Sequence, residues 1–247
     1  MLSDVELYSK ILKLAYTKQH YQEIINEAMN NNSSYEDFLK LILKYEINYR
    51  NLNSINNRIK NAKFPYLKTF EEFDFNAFSL DIANKIRELQ SLSFIDQGQN
   101  VILIGNPGVG KTHTAIALGI KACNAGKNVL YITVPNLITE LKESMTLNQL
   151  TNYKKKFINY DLVILDELGY ITFDKQGSEL FFNLLSMRNN TKSIVITSNL
   201  SFNKWNEIFN DTVLTAAMID RLTYKAHVIT IKGDSYRIKE TKKWLNM

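Results

Sequence analysis

Residues 101–112 read VILIGNPGVGKT. Four apolar residues, Val101, Ile102, Leu103 and Ile104, run into Gly105-Asn106-Pro107-Gly108-Val109-Gly110-Lys111-Thr112. That octet is G-x-x-x-x-G-K-[ST] without a mismatch, set after a buried strand and before a helix over 113–123. The glycines let the backbone curl so that successive N–H groups point inward at phosphate oxygens. The helix that starts there adds its positive N-terminal end. Lys111 is placed to reach β- and γ-phosphates, and Thr112 to offer its hydroxyl to Mg²⁺.

Beyond this loop and its helix the chain alternates strand and helix, the signature of a parallel sheet with helices on both faces. Residues 128–134 form a strand. The next 26 residues, 135–160, exceed what one crossover helix needs and read as two helices. The second of these ends in Lys154, Lys155 and Lys156, with no acid between Glu143 and Asp161. Residues 161–167, DLVILDE, are a buried strand ending in two carboxylates. Asp166 can hold Mg²⁺ through water. Glu167 beside it can take a proton from an attacking water, the general-base step of hydrolysis. Another buried strand, 193–199, ends in Asn199, which can orient water, touch a γ-phosphate or cap the next helix. A helix over 213–225 carries Arg221 among apolar residues, either paired with Asp220 or another local acid or presented to a neighbouring subunit. A last strand, 226–231, leads through Gly233-Asp234-Ser235-Tyr236-Arg237 into a short basic tail.

The first 63 residues carry none of this chemistry and read as helical throughout. Ser3 with Glu6, and Ser33 with Glu36, have capping-box spacing. Helices are predicted over 18–29 and 35–62; the latter has Phe38, Leu41, Ile42, Tyr45, Tyr49, Leu52, Ile55 and Ile59 at helical spacing. The expected organisation is a helical domain, 1–63, and a larger α/β domain, 64–247. Arg50, Arg58, Lys60 and Lys63 end the long helix with no acid between Glu46 and Glu71. They make either a solvated face or a contact to a phosphate backbone. Phe64-Pro65 reads as the linker. The stretch 69–75 is too aromatic for a free linker and is expected to pack near the nucleotide base. A helix over 79–94 precedes the first strand.

With 247 residues there is room for one large and one small domain. The net charge of +5 permits an anionic partner without demanding one. The single cysteine, Cys123, excludes an internal disulfide and any multi-cysteine zinc site. His20, His113 and His227 make no metal spacing and read as structural, and Trp205 and Trp244 read as packing. No signal-peptide pattern opens the chain, and no apolar run approaches the ~20 residues of a membrane span, so a cytoplasmic protein is expected.

GNPGVGKTH, DLVILDELGY, ITSNLSFNKWNEIF, LTAAMIDRL and KGDSYRIKE, in this order, resemble the IstB group of AAA+ ATPases, the ATP-binding helper proteins of insertion-sequence transposons. Helicase loaders of the DnaC type are close relatives. The resemblance covers residues 69–240 and continues into the helical module. It implies a three-layer P-loop fold, ATP and Mg²⁺ as cofactors, and ATP-dependent homo-oligomers on double-stranded DNA without much sequence preference, delivering target DNA to a transposase. It also implies residue roles. Asn199 would be the sensor-1 residue, Arg221 an arginine finger reaching the next subunit's γ-phosphate, and Arg237 a sensor-2-like residue. Lys154, Lys155 and Lys156 would lie near the DNA path, with Arg58 and Lys60 as further candidates. The chain departs from the helper pattern at Thr223-Tyr224-Lys225 and at Asn106. Only 14 residues follow Gly233, too few for the helical lid common in the class. Two other readings compete: a zinc-free helicase loader, and a small-molecule P-loop kinase. Against the kinase stand Glu167 and the lack of an evident acceptor pocket.

Overall fold

The computed structural model describes residues 3–189 and 191–245, without the side chains of Arg237, Lys239, Glu240 and Lys243. The chain forms two compact units, residues 1–57 and 58–247.

The first unit is built from α1 (Asp4–Ile11), α2 (Ala15–Asn30) and most of α3 (Tyr35–Asn61). At the start of α1 the capping box forms: Glu6 N–H donates to Ser3 Oγ at 3.2 Å, and Ser3 N–H to the Glu6 carboxylate at 2.9 Å. The box expected at Ser33 and Glu36 does not form, and the cap moves to the next residue. Ser33 N–H is used on the Ala28 carbonyl, closing α2, so Ser34 becomes the acceptor for Asp37 N–H. Glu46 is buried in this unit. Its carboxylate accepts the N–H groups of Ala15, Tyr16 and Thr17 at 2.9–3.2 Å, satisfying the start of α2 where no side chain of that helix does so.

In the second unit come, in chain order, α4 (Leu80–Leu89), α5 (Ser93–Asp96), β1 (Val101–Gly105), α6 (Lys111–Asn124), β2 (Val129–Thr133), α7 (Val134–Thr146), α8 (Leu150–Asn159), β3 (Leu162–Leu168), α9 (Lys175–Ser186), β4 (Ser193–Ser198), α10 (Asn206–Phe209), α11 (Thr212–Thr223), β5 (His227–Ile231) and α12 (Tyr236–Trp244). The single helix expected over 79–94 is broken, because Leu92 adopts a left-handed φ of 62° and restarts the chain as α5. The basic tail expected after Gly233 is helical, as α12, and its Trp244 is exposed and not packed.

All four strand pairings are parallel, in the order β2-β3-β4-β1-β5. Alternate residues feed two apolar layers. Val101, Leu103, Tyr131, Ile164 and Val195 pack against α4 and α6. Ile102, Ile104, Leu130, Leu165 and Ile196 pack against α7–α11. The result is a three-layer α/β sandwich, and among the described residues a single helix follows β5. No helix among those residues is long and apolar enough to cross a membrane.

The over-long connection between β2 and β3 is the two helices α7 and α8. The end of α8 is held by Arg188, a fully buried side chain. Its Nη1 donates to the carbonyls of Phe157 and Tyr160 at 2.7 and 2.9 Å, and its Nη2 to Ser193 at 3.0 Å. Burial lowers the guanidinium pKa to about 10, with Asp161 opposing the shift, so the cation persists at neutral pH and caps carbonyls at the negative end of α8.

Candidate nucleotide site

The phosphate-loop motif sits where β1 gives way to α6. Gly108 and Gly110 take φ of 81° and 99°, a left-handed backbone that a Cβ would strain. Both are also crowded. A Cβ at Gly108 would come within 2.9 Å of Ser235 Cβ, and one at Gly110 within 3.1 Å of the Phe78 ring. Lys111 is buried at the loop's base. Its ammonium donates to the carbonyls of Gly105 and Asn106 at 2.7 and 2.8 Å, so the charge lies inside the turn formed by Gly105, Asn106, Pro107, Gly108, Val109 and Gly110. Asn106 and Pro107 are exposed, whereas Val109 anchors the loop in the core.

The two acids of β3 diverge. Asp166 is 2% exposed and accepts three hydroxyl protons. Thr112 Oγ1 donates to Oδ1 at 3.0 Å, Thr197 Oγ1 donates to the same oxygen, and Tyr131 Oη donates to Oδ2 at 2.6 Å. Burial, then the bond to Asp166, push the Tyr131 hydroxyl far above the ordinary tyrosine value, so it remains a donor. Glu167, next in sequence, is exposed and has a φ of 66°. The cause is a β-bulge: Leu165 pairs with Ile196 and Leu168 with Ser198, leaving Asp166 and Glu167 opposite the single residue Thr197. Without the bulge, alternation would turn Glu167 toward the opposite layer.

Asn199 follows the last residue of β4 beside these acids. Its Oδ1 is buried and has no hydrogen-bond partner among the described residues. It caps no helix; Ser198 Oγ takes the local N–H of Leu200. An orphaned acceptor of this kind is suited to a water or a hydroxyl. Gly169 makes the close approach possible, since a Cβ there would lie 2.6 Å from Asn199 Oδ1.

Thr112 Oγ1 and Asp166 Oδ1 are two hard oxygen donors in contact, a set that fits Mg²⁺. No group of three or more acidic, His or Cys side chains that could hold a metal occurs among the described residues. Such an ion would therefore complete its shell from substrate phosphates and water, as Mg²⁺ commonly does.

Gly105 to Thr112, Asp166, Glu167 and Asn199 thus converge at the C-terminal ends of β1, β3 and β4. Arg221 does not join them. It lies on α11, close to the N-terminal start of β5, where the Asn100 side chain donates to Leu222 O at 3.2 Å. Its guanidinium bonds Ser186 Oγ and covers the Phe182 ring at 4.4 Å, and no acid pairs with it among the described residues. Along β1, five residues or about 16 Å of strand separate the two ends. Arg237 belongs to α12, but its side chain lies outside the described residues; the two residues before it meet the loop, since Tyr236 N–H donates to Gly108 O at 2.9 Å.

The aromatic stretch packs against α6. Phe73 meets the His113 ring edge-on at 4.8 Å and stacks on Phe78 at 5.1 Å, and His113 Nε2 contacts Thr69 O. Burial lowers the His113 pKa. Lys155 and Lys156 are exposed on α8 and Lys154 is half-buried, and none forms an ion pair among the described residues. Lys60 is exposed at the end of α3; half-buried Arg58 stands near Cys123, whose thiol burial pushes up to about 11. Tyr131 and Arg188 carry no sequence signature of their own; Thr197 and Ser235 lie within the ITSNLSFNKWNEIF and KGDSYRIKE stretches, but nothing in those stretches marks their roles.

Residues 8–244 match the family described as IstB-like ATP binding protein. The chain belongs to that family. It is 39% identical over 243 residues to a protein of Pseudomonas aeruginosa named for insertion sequence IS21 and for ATP binding, covering 98% of this chain and 91% of that one. A counterpart named for IS5376, from Geobacillus stearothermophilus, is 35% identical, with 98% and 96% covered. Among solved structures, the DnaC helicase loader superposes with a TM-score of 0.53 at 23% identity, covering 74% of this chain and 99% of that one. Aquifex aeolicus DnaA superposes with 0.59 at 19%, covering 74% and 55%. The fold is therefore that of the AAA+ class, and this IstB-family chain is an ATP-hydrolysing enzyme of the insertion-sequence kind.

Proposed function

We propose that the protein is an ATP-dependent, largely sequence-non-specific binder of double-stranded DNA that assembles into homo-oligomers on target DNA in the cytoplasm and assists a transposase. The observation that carries this reading is the split of the chemistry across one sheet. Lys111, Thr112, Asp166, Glu167 and Asn199 lie at one end and Arg221 at the other, so a complete site needs two copies.

In this reading the N–H groups of the glycine-rich turn and Lys111 bind the phosphates, with Lys111 exchanging its carbonyl partners for them. Thr112 and Asp166 hold Mg²⁺, which when bound neutralises charge on the phosphates. Glu167, aimed outward by the bulge, accepts the proton of the attacking water, and Asn199 orients that water through its side-chain carbonyl. Arg221 from a second copy stabilises charge in the transition state. Lys154, Lys155 and Lys156, with Arg58 and Lys60, supply phosphate-backbone contacts.

Light scattering with and without a duplex, in ATP and then in ADP, tests the reading. An assembly that needs both ATP and duplex supports it. A monomer indifferent to DNA in every state overturns it and favours a helicase-loader role, tested next by pull-down of a replicative helicase.

A further inference from the structure

We infer that Thr197 is the positioning residue of the hydrolytic site: its single buried hydroxyl fixes the bulge that separates Asp166 from Glu167. The inference rests on the ATPase reading above and assigns a role to a residue that lies within the ITSN stretch beside Asn199 but is given none by that motif.

The case is one of hydrogen-bond directions. A threonine hydroxyl has one proton to give and lone pairs to receive. Thr197 gives its proton to Asp166 Oδ1 and receives the N–H of Glu167 at 3.1 Å. It is 2% exposed, so water does not substitute for either bond. It is also the one residue of β4 facing two residues of β3. In a regular ladder the Glu167 amide would pair with a backbone carbonyl. Here that N–H is displaced by the extra residue, and the Thr197 side chain takes the place of the missing acceptor.

Both acids are affected. Asp166 is held with Oδ1 toward Thr112, the orientation in which both oxygens face the same space. Glu167 is held at a left-handed φ of 66°, a conformation costly for a side chain with a Cβ and maintained only where the surroundings enforce it. The amide bond to Thr197 is the local enforcement. Tyr131 also donates to Asp166, but to the other oxygen, and has no bond to Glu167. Thr197 and Tyr131, two of the three donors to the aspartate, therefore differ in the oxygen they reach and in the grip on the bulge, which Thr197 alone has.

That difference sets the experiment, on the full chain with duplex DNA and saturating protein. Thr197→Val keeps the shape and removes the hydroxyl. Thr197→Ser keeps the hydroxyl and removes a methyl. Tyr131→Phe removes a donor to Asp166 and leaves the bulge bond. For Thr197→Val the expected result is a fall in kcat of about 10²-fold, the scale of a catalytic group misplaced by an ångström, with KM for ATP and ADP affinity near wild type. Thr197→Ser should recover most of the rate, and Tyr131→Phe should lose less rate than Thr197→Val. A packing role alone predicts the reverse order, with Ser worse than Val, and that order overturns the inference even if Thr197→Val is destabilised. Equal losses in Thr197→Val and Tyr131→Phe overturn it too, because the effect would then run through Asp166 alone. Wild-type protein and Glu167→Gln are assayed alongside. If wild type does not hydrolyse ATP, or Glu167→Gln still does, the ATPase reading fails; if those two behave and Thr197→Val keeps its kcat, only the role of Thr197 fails.

Discussion

Tyr236 donates its backbone N–H to the carbonyl of Gly108 at 2.9 Å, so the start of α12 rests on the apex of the phosphate loop. Ser235 closes the same contact against Gly108, leaving no room for a side chain at that position. Gly108→Ala meets two obstacles, a φ of 81° and the Ser235 side chain. The loop escapes by leaving its left-handed geometry, which turns N–H groups away from the phosphates. Restoring that geometry on binding costs about 1–3 kcal/mol, so nucleotide affinity should fall roughly ten-fold or more. Titration with a fluorescent ATP analogue reads this directly. Unchanged affinity would show that binding tolerates another loop conformation.

The proposed division of the site between two copies predicts complementation. Lys111→Ala should lose ATP binding, since it removes the ammonium held inside the loop. Glu167→Gln should bind ATP, assemble on DNA and stall. Arg221→Ala should bind ATP and hydrolyse it more slowly by up to ~10³–10⁵, the range for arginine fingers elsewhere. Mixing Arg221→Ala with Lys111→Ala should restore part of the rate at hybrid interfaces, where one copy contributes an intact loop and the other an intact arginine. A steady-state phosphate-release assay on the mixture decides it; absence of rescue would undercut the shared site.

The lysines of α8, without ion pairs among the described residues, predict a salt signature. Replacing Lys154, Lys155 and Lys156 with Ala should weaken duplex binding for all sequences alike. It should also flatten the dependence of log affinity on log salt by about 0.9 for each phosphate contact removed. Arg188→Met should act differently. It leaves the three lysines in place but frees the carbonyls of Phe157 and Tyr160, loosening the end of α8. Fluorescence anisotropy at several salt concentrations separates the two, because only the lysine variant changes the slope.

The architecture was legible because its signals are local. An apolar run entering G-x-x-x-x-G-K-T fixes β1 and α6, and 26 residues between two strands announce a pair of helices. The convergence of Lys111, Thr112 and Asp166 follows from parallel strands alone, since every strand end then lies on the same side. Other features depend on contacts the chain makes only when folded. Neither Thr197 nor Tyr131 stands out within its strand, and each matters because β3 runs between β2 and β4. Glu167 was recognisable as an acid, but not its left-handed backbone, which comes from two residues facing one. The shift from Ser33 to Ser34 as helix cap turned on which N–H the preceding helix had already used.

The helical unit should show its own acid sensitivity, set by Glu46. Burial opposes its charge, but bonds from Thr17, Arg50, Ala15 and Tyr16 outweigh burial and hold the carboxyl below the usual glutamate value of 4.5. Because the folded pKa is the lower one, the carboxylate stabilises the unit above about pH 4.5. That contribution is lost as pH falls from there through the folded value. Glu46→Gln keeps the shape but weakens the charge-assisted bonds to the start of α2, at a cost of about 1.5–3 kcal/mol near neutral pH. The same substitution should remove the acid-dependent loss, so wild type and variant converge in stability as pH drops below 4.5. Urea unfolding of the full chain, followed by hydrogen exchange at the α2 amides across that range, tests both parts. A stability gap that stays constant with pH would mean Glu46 contributes through packing and not through its charge.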